Sequence, residues 1–164
     1  MEIRLGTRGD ALAIETIRVH GWRTAYRHVF PADELDGLAI DPARWASRLE
    51  TPPPGWSTFV AERDGVVVGF ASVGPSRDER GIGELYAIYV DHAPGSTGAG
   101  RALIESAEQQ LARDYREATL WVLEDNPRAR SFYERADWAV DGARKAEPRW
   151  GVHAAEVRYR KALA

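Results

Sequence analysis

Residues 84–90 form a run of apolar and aromatic side chains that begins with a single carboxylate, Glu84. A short run of this kind is typical of a buried strand. Pro94 and Gly95 interrupt it, and from Gly98 onward the apolar positions recur at helical spacing. These positions are Leu103, Ile104, Ala107 and Leu111. The pattern therefore predicts a strand, a glycine-rich turn and a helix that begins at the turn.

The remaining apolar patterns predict further strands and helices around this unit. Asp64-Gly65, between two apolar runs, indicates a hairpin. A strand–helix–strand–helix order over 84–136 favours parallel pairing there, while the flanking hairpins favour antiparallel pairing. We expect strands at 3–5, 57–62, 66–73, 84–90, 118–123, 138–145 and 154–161, and helices from Asp10, at 33–35, after Asp41-Pro42, at 98–115 and at 128–136. The fold class is mixed α/β, with one mostly antiparallel central sheet that contains a parallel strand pair and is flanked by helices.

Composition narrows the possible functions. The chain has 164 residues, a net charge of −3 and no cysteine, which favours a single globular domain over 1–164 without disulfides or cysteine metal sites. The charge does not favour nucleic acid, and no apolar run is long enough for a membrane span or a signal peptide. Four histidines show no ligand spacing, so we expect no metal. A cytoplasmic location is expected, with a homodimer as one option for assembly.

The turn after residue 92 is a candidate anion site. Its glycines allow close approach to the backbone, and the following helix presents unpaired N–H groups at its positive end. A simple strand-to-helix connection is the alternative. A P-loop is disfavoured because Arg101-Ala102 follows Gly100, and a dinucleotide loop lacks its third glycine. Because Glu124-Asp125 lies at a suitable distance downstream, a nucleotide-binding oxidoreductase remains a weak alternative.

Two motifs resemble those of the GNAT superfamily of N-acetyltransferases. The family's coenzyme A loop has the pattern Q/R-x-x-G-x-G/A, in which Gly98 and Gly100 match and Gly95 replaces the usual Gln or Arg. The segment 126–138 is similar to the family pattern N-x-x-A-x-x-F/L-Y-E-K/R-x-G-F. Its matching residues are Asn126, Ala129, Phe132, Tyr133, Glu134 and Arg135. In this segment Asp137 replaces the usual glycine.

The resemblance implies the GNAT fold, acetyl-CoA as cosubstrate and a set of coenzyme-binding residues. The turn would hold the diphosphate, and the strand backbone would pair with the peptide-like pantetheine arm. The family's strand often splays from its neighbour through a bulge. The expected coenzyme-binding residues are Ile88, Tyr89, Val90, Ser96, Thr97, Gly98, Ala99, Gly100, Arg101, Asn126, Ala129 and Phe132.

Two residues are candidates for proton transfer. Family resemblance places the Tyr133 hydroxyl beside the coenzyme sulfur, where a phenol can protonate the leaving thiolate. The alternative is a packed tyrosine whose hydroxyl bonds elsewhere. Glu84, the carboxylate that opens the central strand, is the candidate base for the amine, and its alternative is a solvated carboxylate at a strand end.

Trp22, Tyr26 and Phe30 are spaced four residues apart, which places them on one helical face. One interpretation is packing against the sheet. The other is an aromatic wall that binds the acceptor, opposite the polar loop 74–83.

Together these features predict an acetyl-CoA-dependent N-acetyltransferase. It would transfer the acetyl group to a primary amine, carried by a small molecule or a peptide, by direct attack in a ternary complex. The alternative function is a non-catalytic acyl-CoA-binding or sensory domain of the same fold.

Overall fold

The computed structural model describes residues 1–92 and 97–163, which form nine strands and five α-helices in that part of the chain. The strands are β1 (Glu2–Leu5), β2 (Ser57–Arg63), β3 (Val66–Pro75), β4 (Gly83–Val90), β5 (Glu117–Leu123), β6 (Ala139–Lys145), β7 (Pro148–Arg149), β8 (Val152–His153) and β9 (Glu156–Ala162). The helices are α1 (Ala11–Ala25), α2 (Ala32–Asp36), α3 (Ala43–Glu50), α4 (Ala99–Leu111) and α5 (Pro127–Arg135).

Seven strands form one sheet in the order β1-β2-β3-β4-β5-β9-β6, and β7 pairs with β8 as a separate hairpin. Every neighbouring pair in the sheet is antiparallel except β4 and β5, which run parallel. The predicted fold class is therefore confirmed, including the parallel pair that follows from the strand–helix–strand order.

The backbone geometry confirms the predicted hairpin, and local interactions define both ends of α5. Asp64 and Gly65 both have positive φ, at 52° and 79°, as a tight hairpin with two left-handed residues requires. The Asn126 side chain caps α5 by accepting a hydrogen bond from the Ala129 N–H at 3.2 Å. Asp137 is left-handed, with φ 67°, directly after that helix.

The hydrophobic core lies on both faces of the sheet. On one face, α4 and α5 pack on side chains that include Leu85, Ile88 and Val90 of β4. On the other face, α1 and α3 pack on side chains that include Ala87 and Tyr89. The pairing of β4 with β3 shifts at this point, because Ser72 faces Ala87 whereas Val73 faces Leu85. Tyr86 is thus an extra residue in β4, and this β-bulge changes which residues face each helix layer.

One prediction about a connecting segment is wrong. The aromatic spacing suggested one helical face from Trp22 to Phe30, but α1 ends at Ala25 and Phe30 is reached through a turn. In the charged loop 76–82, Asp78 and Glu79 form ion pairs with Arg158 and Arg160 of β9.

Candidate active site

The parallel strands β4 and β5 are paired at one end only. Their ladder consists of Gly83 opposite Ala118 and Glu84 opposite Thr119, and the strands then diverge. Beyond Glu84, no strand covers this edge of β4 in the part of the chain that the structure describes. A cavity of about 610 Å³ opens where the two strands separate. The splayed, bulged strand that the sequence analysis expected is therefore present.

One wall of the cavity is backed by the main hydrophobic core. It comes from β4, the start of α4 and the helix α5, and it contains seven of the predicted coenzyme-binding residues together with Tyr133. These residues are Ile88, Tyr89, Val90, Gly100, Asn126, Ala129 and Phe132, and Tyr133 lies beside them. Tyr89 belongs to the opposite face of the sheet from Ile88 and Val90. We call this surface the coenzyme wall.

The turn before α4 has the open backbone that an anion site requires. Gly98 is left-handed, with φ 86°, and a Cβ added there would meet no atom within 4 Å. Gly100 lies close to Phe132, because an added Cβ would come within 3.2 Å of that ring. The first N–H groups of α4 have no partner within the helix. The exposed Thr97 accepts a hydrogen bond on its carbonyl from Arg63, a cation that the sequence analysis missed.

The other predicted residues of this turn that the structure describes do not line the cavity. They are Thr97, Gly98, Ala99 and Arg101. Ala99 turns its methyl group into the core and is fully buried. Arg101 extends into solvent and pairs with Glu105, one helical turn away, at 2.9 Å. Gly95, at which the loop departs from the family pattern, and Ser96 lie outside the described residues. The roles of Ser96, Thr97, Gly98, Ala99 and Arg101 therefore stay predictions.

Tyr133 lies on α5 and lines the cavity, although only 8% of its surface is exposed. Burial raises the pKa of its hydroxyl above the usual value, and the neighbouring Tyr89 adds to the effect. Its hydroxyl makes no hydrogen bond to any residue that the structure describes. A neutral phenol with an unused proton beside a cavity is a suitable proton donor.

Glu84 lies outside the cavity, at the paired end of β4 and β5, and is fully buried. One carboxylate oxygen accepts from the Arg77 backbone N–H at 2.9 Å, and the other accepts from the Arg77 guanidinium, 3.0 Å from Nε. Of these two residues, Arg77 lines the cavity and Glu84 does not. The structure thus does not bring the Glu84 carboxylate to the cavity, and its base role stays a prediction.

The opposite wall is aromatic, and we call it the acceptor wall. Trp22 and Tyr26 meet edge to face, with ring centroids 4.8 Å apart, and Phe30 stacks on Trp22 at 6.0 Å. Trp150, from the turn of the β7–β8 hairpin, packs against Phe30 at 5.4 Å. These rings form a small hydrophobic cluster separate from the two sheet cores. Trp22, Tyr26 and Phe30 both pack in this cluster and line the cavity, so the two interpretations of this stripe are compatible.

Tyr89 joins the two walls. Its ring lies 5.6 Å from Phe70 on the α1 side of the sheet, and its hydroxyl accepts a hydrogen bond from Trp22 Nε1 at 2.9 Å. Gly21 allows this contact, because a Cβ there would lie 2.7 Å from the Tyr89 ring. The side chain of Tyr89 therefore positions the acceptor wall, while its backbone belongs to the strand edge that borders the cavity.

Charged side chains that the sequence analysis missed complete the acceptor wall. They come from the loop after β3, the ends of β6 and β9, and the β7–β8 hairpin. They are Arg77, Lys145, Glu147, Arg149 and Glu156. Arg149 covers the Trp22 ring at 4.8 Å, and Lys145 lies 4.4 Å above the Trp121 ring. In the sequence, Glu156 is one of the polar positions that alternate with Val157 and Tyr159, a pattern that locates it on one face of β9 but not in a cavity.

Within residues 1–92 and 97–163, no three histidine or acidic side chains come together as a metal site would need. In the same residues, no helix has the length and apolar character to cross a membrane.

Comparison with known proteins identifies the family. The profile of the acetyltransferase (GNAT) family matches residues 19–138. An uncharacterised N-acetyltransferase of Bacillus subtilis, YuaI, is 39% identical over 124 residues, which cover 72% of this chain and 69% of that protein.

Solved structures share the fold. The structure of yncA from Salmonella typhimurium with its cofactor acetyl-CoA superposes with a TM-score of 0.75, at 23% identity, over 100% of this chain and 94% of that one. The paia N-acetyltransferase of Thermoplasma acidophilum, in complex with coenzyme A, gives a TM-score of 0.77 at 17% identity and covers 98% of both chains. The family match, the Bacillus subtilis relative and the splayed strand pair all indicate the same family. The chain belongs to the acetyltransferase (GNAT) family of acyltransferases.

Proposed function

We propose that this protein transfers the acetyl group of acetyl-CoA to a primary amine by direct attack in a ternary complex. The observation that carries the proposal is the cavity between the splayed strands β4 and β5, which has the open edge of β4 and Gly100 of α4 at one wall and an aromatic, charged surface at the other. Two walls of different chemistry suit two substrates that bind side by side. The YuaI relative bears the name of an N-acetyltransferase, which supports the same reaction.

The residues of the coenzyme wall fit coenzyme A. The uncovered edge of β4 from Ile88 to Val90 offers backbone groups to an extended, amide-containing arm. The open turn at Gly98 offers N–H groups to a diphosphate. Phe132 and Ala129 supply apolar surface between these two places, and the amide nitrogen of Asn126 is not used by its cap hydrogen bond. When bound, acetyl-CoA supplies an activated acetyl group as a thioester.

Tyr133 is the proposed acid. Its buried, neutral hydroxyl lines the cavity without a hydrogen bond to any described residue, so its proton is available to a thiolate that leaves nearby. Protonation of the leaving group favours breaking of the carbon–sulfur bond over the reverse reaction.

The acceptor wall is proposed to bind an amine with a flat, apolar part. Trp22→Ala removes the ring that contacts Tyr26, Phe30 and Tyr89. We expect the KM for the acceptor to rise about tenfold, because loss of one aromatic contact is worth roughly 1 kcal/mol or more, while the KM for acetyl-CoA stays nearly constant. Steady-state kinetics with each substrate varied in turn measures both. An equal rise of the two constants would remove Trp22 from the acceptor site.

Binding and turnover together test the proposed function. Calorimetry should detect binding of coenzyme A and no binding of NAD(H). Incubation with acetyl-CoA and a panel of primary amines, comprising arylalkylamines, amino acids, an aminoglycoside and a peptide with a free N-terminus, should release free thiol with at least one member. Tight NAD(H) binding without coenzyme A binding, or no thiol release with any amine, would contradict the proposal.

A further inference from the structure

We propose that Glu156 accepts the proton of the acceptor amine, an inference that rests on the proposed function and identifies a residue for it. Two carboxylates line the cavity in the part of the chain that the structure describes, Glu147 and Glu156. The side chain of Glu147 is 76% exposed, whereas that of Glu156 is 28% exposed. Glu156 is therefore the carboxylate inside the cavity rather than at its rim.

The position of Glu156 follows from the sheet. It is the first residue of β9 and lies opposite Leu123, the last residue of β5, and Lys145, the last residue of β6. These strand ends border the divergence of β4 and β5, where the cavity opens. Glu156 thus lies on the acceptor wall, across from the coenzyme wall that carries Tyr133.

The bonding of Glu156 differs from that of Glu84. No described residue forms a hydrogen bond with the Glu156 carboxylate, and its nearest cation, Lys145 Nζ, lies 4.0 Å away. Both oxygens of Glu84 accept hydrogen bonds from Arg77 and lie outside the cavity. A base must have a free lone pair within reach of the proton it takes, and Glu156 meets this condition.

The electrostatic surroundings of Glu156 also suit a base. Burial raises its pKa above the usual glutamate value, and Glu147 after β6 raises it further. Lys145 of β6, Arg77 of the loop after β3 and Arg149 of β7 act in the opposite direction. Tyr26 after α1 is a further titratable group nearby, and its pKa is raised chiefly by its own burial, with a smaller contribution from Glu156. A carboxylate that burial makes more basic, in the presence of nearby cations, suits proton transfer near neutral pH.

In the proposed reaction, the ammonium form of the acceptor gives one proton to the Glu156 carboxylate, which passes it to solvent. The amine nitrogen then bonds to the thioester carbonyl carbon, and the carbon–sulfur bond breaks with its electron pair on sulfur. Tyr133 protonates that thiolate, and the second proton of the nitrogen returns to Tyr133 through solvent. The net products are the amide, the free thiol and one proton.

The test is the dependence of kcat/KM on pH, measured with the best amine of the panel for the wild type and for Glu156→Gln. We expect Glu156→Gln to lower kcat/KM at pH 7 by about 10²-fold and to leave the KM for acetyl-CoA unchanged. The loss should shrink as pH rises through the pKa of the amine, because free amine then forms without a base. Glu156→Asp, which keeps a carboxylate, should recover part of the rate at pH 7 and serves if the Gln variant folds poorly.

Two matched variants locate the base. Glu147→Gln removes the exposed carboxylate of the same cavity and should keep the pH at which the wild-type rate rises, whatever it does to the KM for the acceptor. Glu84→Gln should keep the pH at which the wild-type rate rises. A wild-type pH profile in Glu156→Gln would overturn this inference. The proposed function would still stand in that case, provided that the wild-type protein releases thiol with an amine of the panel. A shifted profile in Glu84→Gln alone would assign the base to Glu84.

Discussion

The two ends of the β4–β5 pair differ in how tightly their side chains are packed and in how many of their polar groups are hydrogen-bonded. At the paired end, Gly83 leaves no room for a side chain, since an added Cβ would lie 2.6 Å from Leu111 and 2.8 Å from Tyr115, and Glu84 is fully bonded to Arg77. At the diverging end, β4 has no described partner strand, and Glu156 has no described hydrogen bond. One strand pair thus supports the fold at one end and leaves groups available for chemistry at the other.

The largest expected effect comes from the loss of one oxygen atom at the diverging end. Tyr133→Phe removes the hydroxyl there and should lower kcat by about 10²–10⁴-fold, the usual contribution of a positioned acid. Its affinity for coenzyme A should change little, because the ring stays. Steady-state kinetics and calorimetry measure the two quantities.

Tyr115→Phe is the matched control at the paired end, where the Tyr115 ring packs beside Gly83. It makes the same chemical change away from the cavity and should leave kcat unchanged. If Tyr133→Phe retains kcat within about twofold, another group protonates the thiolate. The hydroxyl at the diverging end would then have no more effect on the reaction than the one at the paired end.

A second pair of substitutions tests the turn before α4. Gly98 and Gly81 both have φ 86°, and a Cβ added to either would meet no atom within 4 Å. Alanine at either position should therefore cost a similar amount of stability, about 1–2 kcal/mol, for its left-handed backbone. Only Gly98→Ala should also weaken coenzyme A binding, by about tenfold, because the methyl group would face the diphosphate.

Thermal unfolding and calorimetry on both variants separate these effects. Equal coenzyme A affinity in Gly98→Ala and Gly81→Ala would exclude the turn from the binding site. Gly100→Val is a less specific probe than Gly98→Ala, because its side chain would also press on Phe132.

The smallest expected effect is on stability and its dependence on pH. Burial raises the folded-state pKa of Glu156 above the unfolded value of 4.5, so the wild-type protein loses stability as pH rises through the folded-state pKa. Glu156→Gln, which carries no charge, should therefore be slightly more stable than the wild type at pH 7. This difference should vanish below the unfolded pKa, where Glu156 is protonated in both states.

Glu84→Gln is the counterpart at the paired end and should lower stability at pH 7, because Arg77 then loses a charged partner. Denaturant unfolding at pH 7 and at pH 4 measures both variants. Destabilisation of Glu156→Gln at pH 7 would show that the carboxylate supports the fold and is not held free for chemistry.

Sequence patterns predicted best where the cause was local. The hairpin at Asp64-Gly65 and the cap at Asn126 follow from the conformations and hydrogen bonds of neighbouring residues, and both are present. The parallel pairing of β4 and β5 follows from the order of elements that surround α4. The second motif also placed Tyr133 at the cavity through its position on a capped helix.

Prediction failed where distant segments decide the environment of a side chain. The sequence does not show what the acidic residues of loop 76–82 bind, because Arg158 and Arg160, the partners of Glu79, lie about eighty residues later in the chain. Glu84 opens an apolar strand, and nothing local reveals that Arg77 binds it. Glu156 occupies a polar position of an alternating strand, and the aromatic residues after α1 and the β7–β8 hairpin convert that face into a cavity wall.

The bulge at Tyr86 has a consequence for changes in chain length. Leu85 faces the α4 layer at an odd position, whereas Ile88 and Val90 face it at even positions. Deletion of Tyr86 would remove the extra residue and leave a regular two-residue alternation in which Leu85, Ile88 and Val90 still face the α4 layer. Deletion of Ile88 would instead exchange the faces of the side chains that follow it, so that Tyr89 would take the α4 face and Val90 the opposite face. The bulge is therefore the position at which β4 can lose one residue and keep its two faces.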